Sequence, residues 1–460
     1  MKYMLSILCA CFLLATTAPA FAQNTQLQIN PVQMGKFVTE VKSAMKMPSV
    51  AVGIVGKEKS LYFETYGATN SDEPFVIAAL SQSVTATAVL LLASEGKLAV
   101  DDAAVKWIPG VPEAVTIADL LGHRSGLTPS DTPREGTAND ATIVERVQRA
   151  SWAGARGEFV ESALNYQILG ELVALVSEQS YGDFVHEHIF AAAGLSSAHA
   201  GAEPPSARAG GHQYIFGFAR AQGDDAGYGS AAVASDFIWM SARDMERWLR
   251  LFITAGKLDN KRVLPEQVIT GVLETAGAWT MSDEEGLAIA RRTGFTRGYS
   301  ASMALVPERE IGVFVLTNVG SWEGYAPERI GAGMLGAVLQ RGNRALTNVE
   351  FVVRVALGTF LLLLIFTIMF ELYRWFAAKM PRQLDSRARS RVAITTALAI
   401  ATPAILLVYL GISPMFILTM APDVGFGILA MMLLVPLHAT LKGFSQTVLR
   451  RLEAMLEKFM

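Results

Sequence analysis

Three long apolar runs stand close together in the last quarter of the chain, and they restrict its fold more than any other feature. They cover residues 349–376, 392–411 and 424–441. Each is close to the ~20 residues that an α-helix needs to cross the hydrocarbon core of a bilayer. Buried helices of a soluble domain are the alternative, but the length of the runs and their few charges favour the membrane. The sequence therefore predicts a three-helix transmembrane segment after a large N-terminal body.

The composition agrees with a membrane protein. Hydrophobic residues make up 51% of the 460-residue chain and charged residues only 18%, against a usual charged share of ~25%. The formal net charge of −3 gives no case for nucleic-acid binding. Both cysteines, Cys9 and Cys11, lie near the N-terminus, so a chain that loses this segment keeps no thiol or disulfide. We predict neither a metal site nor a cofactor.

Residues 1–22 have the features of a secretory signal peptide. Lys2 precedes the apolar stretch Met4–Ala15, and Ala20–Ala22 form an A-x-A cleavage site, which is the pattern of an exported protein. We therefore predict an exported domain over residues 23–345.

The basic residues of the C-terminal region predict an orientation. They are concentrated between the first and second apolar runs and again after the third, whereas Gly411–Asp423 contains no lysine or arginine. By the positive-inside rule, the first loop and the C-terminus are cytoplasmic. The sequence thus predicts a multi-pass protein of a bacterial inner membrane, with its large N-terminal domain in the periplasm. Residues 442–460 form a predicted amphipathic tail on the cytoplasmic side.

The stretch Phe75–Ala86 organises the N-terminal body. It reads Phe-Val-Ile-Ala-Ala-Leu-Ser-Gln-Ser-Val-Thr-Ala, an apolar lead-in and small residues followed by an apolar helix. It resembles the Phe-x-Ile-(Ala/Gly)-Ser-x-Ser-Lys-x-Phe-Thr-Ala signature of the serine β-lactamase and penicillin-binding-protein superfamily, in its class C β-lactamase and esterase branch. In that family the first Ser attacks a carbonyl and the Lys activates it. Those two positions here hold Ala79 and Gln82.

The family's second motif is also altered. Phe159–Gly170 resembles Phe-x-Tyr-Ser-Asn-x-x-Tyr-x-Leu-Leu-Gly. Glu161 stands where the resemblance implies a proton-transferring Tyr, and Ala163 where it implies an Asn that holds the substrate amide. We expect the neighbouring Asn165 and Tyr166 to be packing residues.

The third motif lies in Arg291–Ser302 and resembles a strand with His-Thr-Gly or Lys-Thr-Gly before a Pro-Gly-Phe loop. Arg292, Thr293 and Gly294 take the place of the tripeptide, and Arg297 replaces the Pro. One hypothesis is that these residues still capture a carboxylate or peptide ligand without turnover.

His123 lies in Val115–Leu127, which resembles the family element Thr-Ile-x-x-Leu-Leu-x-His-x-Ser-Gly-Leu. It could be a general base or a structural histidine of a family turn. The structural interpretation is favoured because no acidic partner or metal-ligand spacing is visible nearby.

The resemblance spans residues 30–340 and implies an α/β (α+β) fold. The expected architecture is a β-lactamase-like domain with an antiparallel sheet flanked by helices, plus a helical subdomain. Such a domain followed by three membrane helices resembles the prodrug-activating D-amino-acid peptidases of colibactin-type pathways and other membrane-bound serine hydrolases.

The altered motifs argue against the family's reaction. A methyl group at Ala79 cannot form an acyl-enzyme, and loss of the nucleophile in a serine hydrolase costs ~10⁶ in kcat. Ser81 and Ser162 are the candidate displaced nucleophiles, but neither has a Lys or His at a position that the family supports. Glu161 and Arg292 instead suggest an ion pair in the former substrate position, with Gln82 hydrogen-bonded to it. In the alternative, both charges face solvent across an open cleft.

Three hypotheses for function follow. The favoured one is a catalytically degenerate inner-membrane protein that binds, regulates or scaffolds, with an active hydrolase or a membrane transport or biosynthesis protein as its partner. The second is an active membrane-bound serine hydrolase or peptidase that acts on acylated, peptide or ester substrates through displaced residues. The third is a purely structural membrane subunit.

Overall fold

The computed structural model describes residues 30–128, 142–222, 230–321, 325–341, 356–369, 386–409 and 422–456. By their Cα packing, these residues divide into two units. The larger unit contains the described residues as far as position 341, except for Ile215–Gly217 at the tip of one hairpin. That tip belongs with the C-terminal helices in the smaller unit.

The described residues form thirteen strands: β1 Val50–Gly56, β2 Ser60–Tyr66, β3 Phe75–Val76, β4 His212–Ile215, β5 Phe218–Ala221, β6 Trp239–Met240, β7 Lys257–Leu258, β8 Lys261–Arg262, β9 Thr280–Glu284, β10 Leu287–Phe295, β11 Ser300–Val306, β12 Ile311–Thr317 and β13 Val319–Gly320. Six of them form the main sheet, in the order β2-β1-β12-β11-β10-β9. Every pairing in this sheet is antiparallel. The predicted antiparallel sheet is therefore confirmed.

The described helices are α1 Pro31–Ala44, α2 Ser81–Ser94, α3 Ile117–Leu121, α4 Ile143–Arg149, α5 Ala163–Ser177, α6 Tyr181–Val185, α7 Ser230–Asp236, α8 Ala242–Ile253, α9 Glu266–Glu274, α10 Tyr325–Val338, α11 Ala356–Met369, α12 Ser386–Tyr409 and α13 Pro422–Leu456. The first ten lie in the larger unit and the last three in the smaller one.

Strand β1 separates two hydrophobic cores. Successive side chains of a strand point to opposite faces, so Val50, Val52 and Ile54 enter one core while Ala51 and Val55 enter the other. Helices α1 and α10 cover the first face and α8 covers the second. Because both faces are covered, β1 is buried along its whole length, and its sequence is apolar throughout rather than alternating.

Helix α2 lies at the centre of the helical side of the unit. It packs against α5, α7 and α9, and eleven of its fourteen residues are buried. A helix surrounded in this way is buried on every side and shows no single hydrophobic stripe. Its polar groups are paired inside the core: the Thr85 hydroxyl donates to the Ala234 carbonyl at 2.6 Å, and the Thr87 hydroxyl to that of Ser83 at 2.8 Å. The start of α2 is thereby held in a fixed position.

Helix α3 is held by a capping box. The Thr116 hydroxyl accepts the backbone N–H of Asp119, and the Asp119 carboxylate accepts that of Thr116. Asp119 also pairs with Arg156 at 2.8 Å. The helix ends at Leu121 and is followed by Gly122 and His123, and the φ of His123, +52°, is left-handed. The cap therefore positions the turn that carries His123.

In the smaller unit, one helix within the described part is long and apolar enough to cross a membrane, and it covers Asp423–Lys442 of α13. The sequence predicts three such spans. The first coincides with α11, which is apolar but short as described, and the second coincides with α12. Both predicted spans extend beyond the residues that the structure describes. The predicted signal segment lies outside the described residues.

The Asp119 carboxyl provides a test of the capping box through pH. Burial raises the pKa of Asp119. The Thr116 backbone N–H, Arg156 and the Thr116 hydroxyl together lower it by more than burial raises it, so the pKa lies below its ordinary 3.8. Such a carboxylate stabilises the fold above its unfolded-state pKa and loses that contribution as pH falls through the folded-state value. We expect Asp119→Asn to lower the free energy of unfolding by about 1 kcal/mol near neutral pH. The difference should shrink as pH falls below 3.8, measured by urea unfolding with Trp fluorescence.

Asp101→Asn is the matched control, since Asp101 is exposed in the same part of the chain. Its effect should be small throughout. An Asp119→Asn difference that stays constant from neutral to acid pH would contradict the assigned role of the carboxylate.

Candidate functional site

The segment that carries positions 79 and 82 begins with a strained turn between β3 and α2. The Ile77 backbone N–H donates to the Ile238 carbonyl at 2.9 Å, which fixes the end of β3. Ala78 then takes a left-handed φ of +50°, which costs a residue with a Cβ ~1–2 kcal/mol. Ala78–Leu80 form one 3₁₀ turn before α2 begins at Ser81. Strain of this kind is typical of turns that present a residue at a site.

Strand β10 passes directly against this turn. A Cβ on Gly294 would lie 2.4 Å from the backbone nitrogen of Ala79 and 3.0 Å from its Cβ, so the approach requires glycine. Side chains two residues apart on a strand share a face, and Arg292 therefore leaves β10 on the side of the Ala79 turn. The first and third sequence motifs meet at this point.

The Arg292 guanidinium connects the first, second and third motifs. Its Nη2 donates to Glu161 Oε1 at 2.9 Å and to Gln82 Oε1 at 2.7 Å. The Arg292 side chain is 4% exposed and that of Glu161 is 33% exposed. The hypothesis of a Glu161–Arg292 ion pair with Gln82 bonded to it is confirmed, and the alternative of two solvated charges is wrong.

Gln82 also contacts His123, and the two contacts together assign the histidine tautomer. Arginine can only donate, so Gln82 turns its oxygen towards Arg292. The same oxygen lies 3.0 Å from His123 Nε2, which must therefore carry a hydrogen. His123 Nδ1 accepts from Asn165 Nδ2 at 2.9 Å and faces the Ser162 backbone N–H at 3.4 Å. His123 is thus assigned as a neutral imidazole protonated on Nε2.

This assignment supports a structural role for His123. The side chain is buried, Nε2 donates to a neutral amide, and Nδ1 is occupied as an acceptor. A general base needs a free acceptor nitrogen within reach of a substrate proton. The favoured interpretation therefore holds, but the sequence does not reveal that His123 contacts Gln82 at the centre of the site.

Asn165 has a larger part than the expected packing role. It is fully buried, donates to His123 Nδ1, and its Oδ1 accepts from the Ser125 hydroxyl at 2.6 Å. Tyr166 does pack as expected, because its hydroxyl donates to the Leu121 carbonyl at 3.0 Å and burial raises the pKa of Tyr166. The one feature of the sequence that could have indicated this role is the position of Asn165 in the first turn of α5.

The two candidate displaced nucleophiles lie in different surroundings. Ser81 is fully buried, and its hydroxyl oxygen accepts the Ile238 backbone N–H at 3.1 Å. Ser162 precedes α5 and is also buried, and its hydroxyl has no hydrogen-bond partner among the described residues. A serine nucleophile needs a base within hydrogen-bond reach, which neither hydroxyl has in the described part. Ala163 is the first residue of α5 and is buried.

The four predicted ligand-binding residues are not equivalent. Arg292 is committed to Glu161 and Gln82. Thr293 and Gly294 lie on β10 opposite Ser302 and Ala301 of β11. Arg297 is exposed in the β10–β11 loop, and its guanidinium makes no hydrogen bond or ion pair within the part of the chain that the structure describes. Arg297 is therefore the exposed cation of this set.

The described residues contain no group of three or more His, Cys, Asp or Glu side chains placed to bind a metal ion. The site combines the methyl group of Ala79, the amide of Gln82 and the Glu161–Arg292 ion pair. This arrangement can accept and donate hydrogen bonds, but it holds no paired nucleophile and base.

Comparison with known proteins finds a matching family in sequence and a similar fold among solved structures. The family model described as Beta-lactamase matches residues 37–337. Protein flp of Staphylococcus aureus strain MW2 is 24% identical over 318 residues, which cover 60% of each chain. Penicillin-binding protein 4* of Bacillus subtilis strain 168 is 30% identical over 132 residues, 26% of this chain and 29% of the relative. The chain thus spans about three-fifths of the length of the Staphylococcus aureus relative.

Two solved structures have similar folds. The octameric penicillin-binding protein homologue from Pyrococcus abyssi superposes with a TM-score of 0.58 at 21% identity, covering 68% of this chain and 78% of its own. The class C beta lactamase from Rhodobacter sphaeroides gives 0.57 at 21% identity, covering 66% and 99%. At these identities the likeness concerns the fold alone.

The Glu161–Arg292 pair predicts a measurable coupling. Removing Glu161 leaves a buried guanidinium without its countercharge, so Glu161→Ala should lower the free energy of unfolding by about 2 kcal/mol. In an Arg292→Met background the same change should cost much less, because Glu161 alone is partly solvated. A double-mutant cycle from urea unfolding measures the difference.

The exposed pair Asp72–Arg243, with 65% and 62% of its side chains exposed, is the matched control. Its coupling should be within about 1 kcal/mol of zero. Equal coupling energies for the two pairs would show that burial of Arg292 contributes nothing.

Proposed function

The chain belongs to the beta-lactamase family, and on that premise we propose that it has lost hydrolytic activity and acts by binding, regulation or scaffolding. One observation carries the proposal. The Gln82 oxygen, at the position where the resemblance implies a catalytic Lys, accepts hydrogen bonds from Arg292 and His123. An amide oxygen occupied in this way cannot take a proton from a nucleophile, and Ala79 offers no nucleophile to deprotonate.

The competing function is an active serine hydrolase or peptidase that acts on acylated, peptide or ester substrates. Ser81 argues against it, because its hydroxyl already accepts a backbone N–H in the core. Ser162 is the better candidate, since its hydroxyl is unpaired among the described residues. Its nearest acidic neighbour in sequence, Glu161, is held by Arg292 and is not available as a free base.

The ligand of a binding protein of this type is a carboxylate, such as the terminus of a peptide or an acyl-amino acid. Arg297 is the exposed cation in the β10–β11 loop, and a guanidinium binds a carboxylate through two parallel hydrogen bonds. A partner hydrolase, or a membrane transport or biosynthesis protein, would respond to this binding.

The protein is a multi-pass protein of a bacterial inner membrane, with residues 23–345 in the periplasm and the C-terminus in the cytoplasm. Support comes from the apolar helix Asp423–Lys442, from the two further apolar runs, and from the basic residues that flank them on one side. The signal-like residues 1–22 support export of the domain.

Covalent labelling tests the loss of activity. The purified full chain is incubated with a fluorescent penicillin and a fluorophosphonate, beside an active class C β-lactamase as the positive control. We expect no covalent label on the wild type, since an acyl or phosphonyl adduct needs an activated hydroxyl. Gel fluorescence and intact mass provide the measurement.

Ser81→Ala and Ser162→Ala are measured in parallel. A specific label on the wild type that disappears in either variant would establish displaced catalysis and overturn the proposal. A structural subunit, the third hypothesis, predicts that peptides ending in a carboxylate also fail to bind, with no difference between wild type and Arg297→Ala.

A further inference from the structure

Helix α10 ends in a Schellman motif that fixes the position of Arg341. The Arg341 backbone N–H donates to the Gly336 carbonyl at 2.7 Å, and the Gln340 backbone N–H donates to the Ala337 carbonyl at 3.3 Å. These are the 6→1 and 5→2 hydrogen bonds of the motif, which also needs a left-handed residue just after the helix. Gln340 fills that position with a φ of +55°. Arg341, the last residue of the larger unit that the structure describes, is therefore held in place by the helix end.

The Arg341 side chain binds the β9–β10 hairpin. Its Nη1 donates to Glu284 Oε2 at 2.7 Å and its Nη2 to the Glu284 carbonyl at 2.9 Å, and Nη2 also lies 3.0 Å from Glu285 Oε2. The other carboxylate oxygen of Glu284 accepts from Arg291. The hydrogen bond from Arg291 and the charges of both arginines hold the pKa of Glu284 below its ordinary 4.5. One carboxylate thus joins the end of α10 to strand β10.

This cluster lies behind the part of β10 that forms the site. Neighbouring residues of a strand point to opposite faces, so Arg291 shares a face with Ile289, which packs in the core under α1 and α10, and Arg292 points to the site. Strand β9 pairs with β10 as far as Arg291. Within the described part, residues 292–295 pair with β11 alone. The cluster is therefore attached to β10 immediately before the segment that has lost its outer neighbour.

We propose that Arg341 is a positioning residue that couples the C-terminal end of the domain to the Arg292 site. The chain continues from Arg341 to the helices of the smaller unit, so a displacement of this end would act first on Glu284 and then, through Arg291, on β10. Coupling free energies between two sites are reciprocal, and a ligand bound at β10 would change the hold on Arg341 in return. The inference deepens the proposed function and rests on it, because it names how binding at the site is regulated.

Hydrogen exchange of the purified full chain tests the coupling. Arg341→Gln removes the charge, and Arg309→Gln, in the exposed connection between β11 and β12, is the matched control. In Arg341→Gln we expect the amides of residues 292–295 to exchange about five-fold faster, because the hairpin loses its attachment to α10. The ¹⁵N signals of the His123 ring, which contacts Gln82 at the site, should shift in the same variant. Arg309→Gln should change neither.

Arg341→Lys keeps the charge with fewer hydrogen bonds, and it decides the matter if Arg341→Gln fails to fold. Exchange over residues 292–295 should again be faster than in the wild type, by less than in Arg341→Gln. Faster exchange confined to the β9–β10 turn, with residues 292–295 and His123 as in the wild type, would overturn the proposal, since Arg341 would then stabilise only the end of the hairpin. Equal changes in Arg341→Gln and Arg309→Gln would overturn it too.

Labelling of the same proteins with the fluorescent penicillin separates this inference from its premise. A specific covalent label on the wild type would overturn the proposed loss of activity, and the exchange of residues 292–295 would still decide whether Arg341 holds the site. Unlabelled protein in which Arg341→Gln leaves that exchange unchanged would remove the coupling alone.

Discussion

The buried guanidinium of Arg292 is the interaction on which the site depends. An uncompensated charge in a protein interior costs several kcal/mol. Arg292 is buried, so its guanidinium requires acceptors beside it. Glu161 supplies the opposite charge and Gln82 a second acceptor. Strand β10, helix α2 and the segment before α5 are thereby joined at one point, and Gly294 allows β10 to come close enough to the Ala79 turn for this to happen.

The same charge sets the direction of the hydrogen bonds around it. Arg292 turns the oxygen of Gln82 inward, that oxygen requires a hydrogen on His123 Nε2, and His123 Nδ1 then accepts from Asn165. The elements involved carry the three motifs of the beta-lactamase family. Where the resemblance implies a nucleophile, a base and a substrate clamp, this chain has a connected set of hydrogen bonds around a structural ion pair. In the function that we propose, the fold and the motif positions are retained, and the groups that would carry out acyl transfer are absent from them.

Local pattern was enough to predict the apolar helix after Phe75, because burial on all sides leaves a continuous apolar signal, whereas the antiparallel sheet was implied by the resemblance to the family. The Arg292–Gln82 contact joins residues 210 positions apart, a separation with no periodic signal, and only the resemblance to the family placed them together. His123 shows the limit of that approach. Its partners Gln82 and Asn165 are neutral amides about forty residues away along the chain. A sequence can reveal an acidic residue close to a histidine, but it does not reveal contacts with distant amides.

The most direct test of a site organised by Arg292 is the protonation pattern of His123, measured by ¹⁵N NMR of the histidine-labelled full chain at neutral pH. The chain has six histidines, and His123→Gln identifies the resonance. We expect a neutral imidazole with its hydrogen on Nε2 in the wild type, and a changed His123 signal in Arg292→Met, where the Gln82 amide is free to turn. A hydrogen on Nδ1 in the wild type, or identical His123 signals in the two proteins, would contradict a site organised by Arg292.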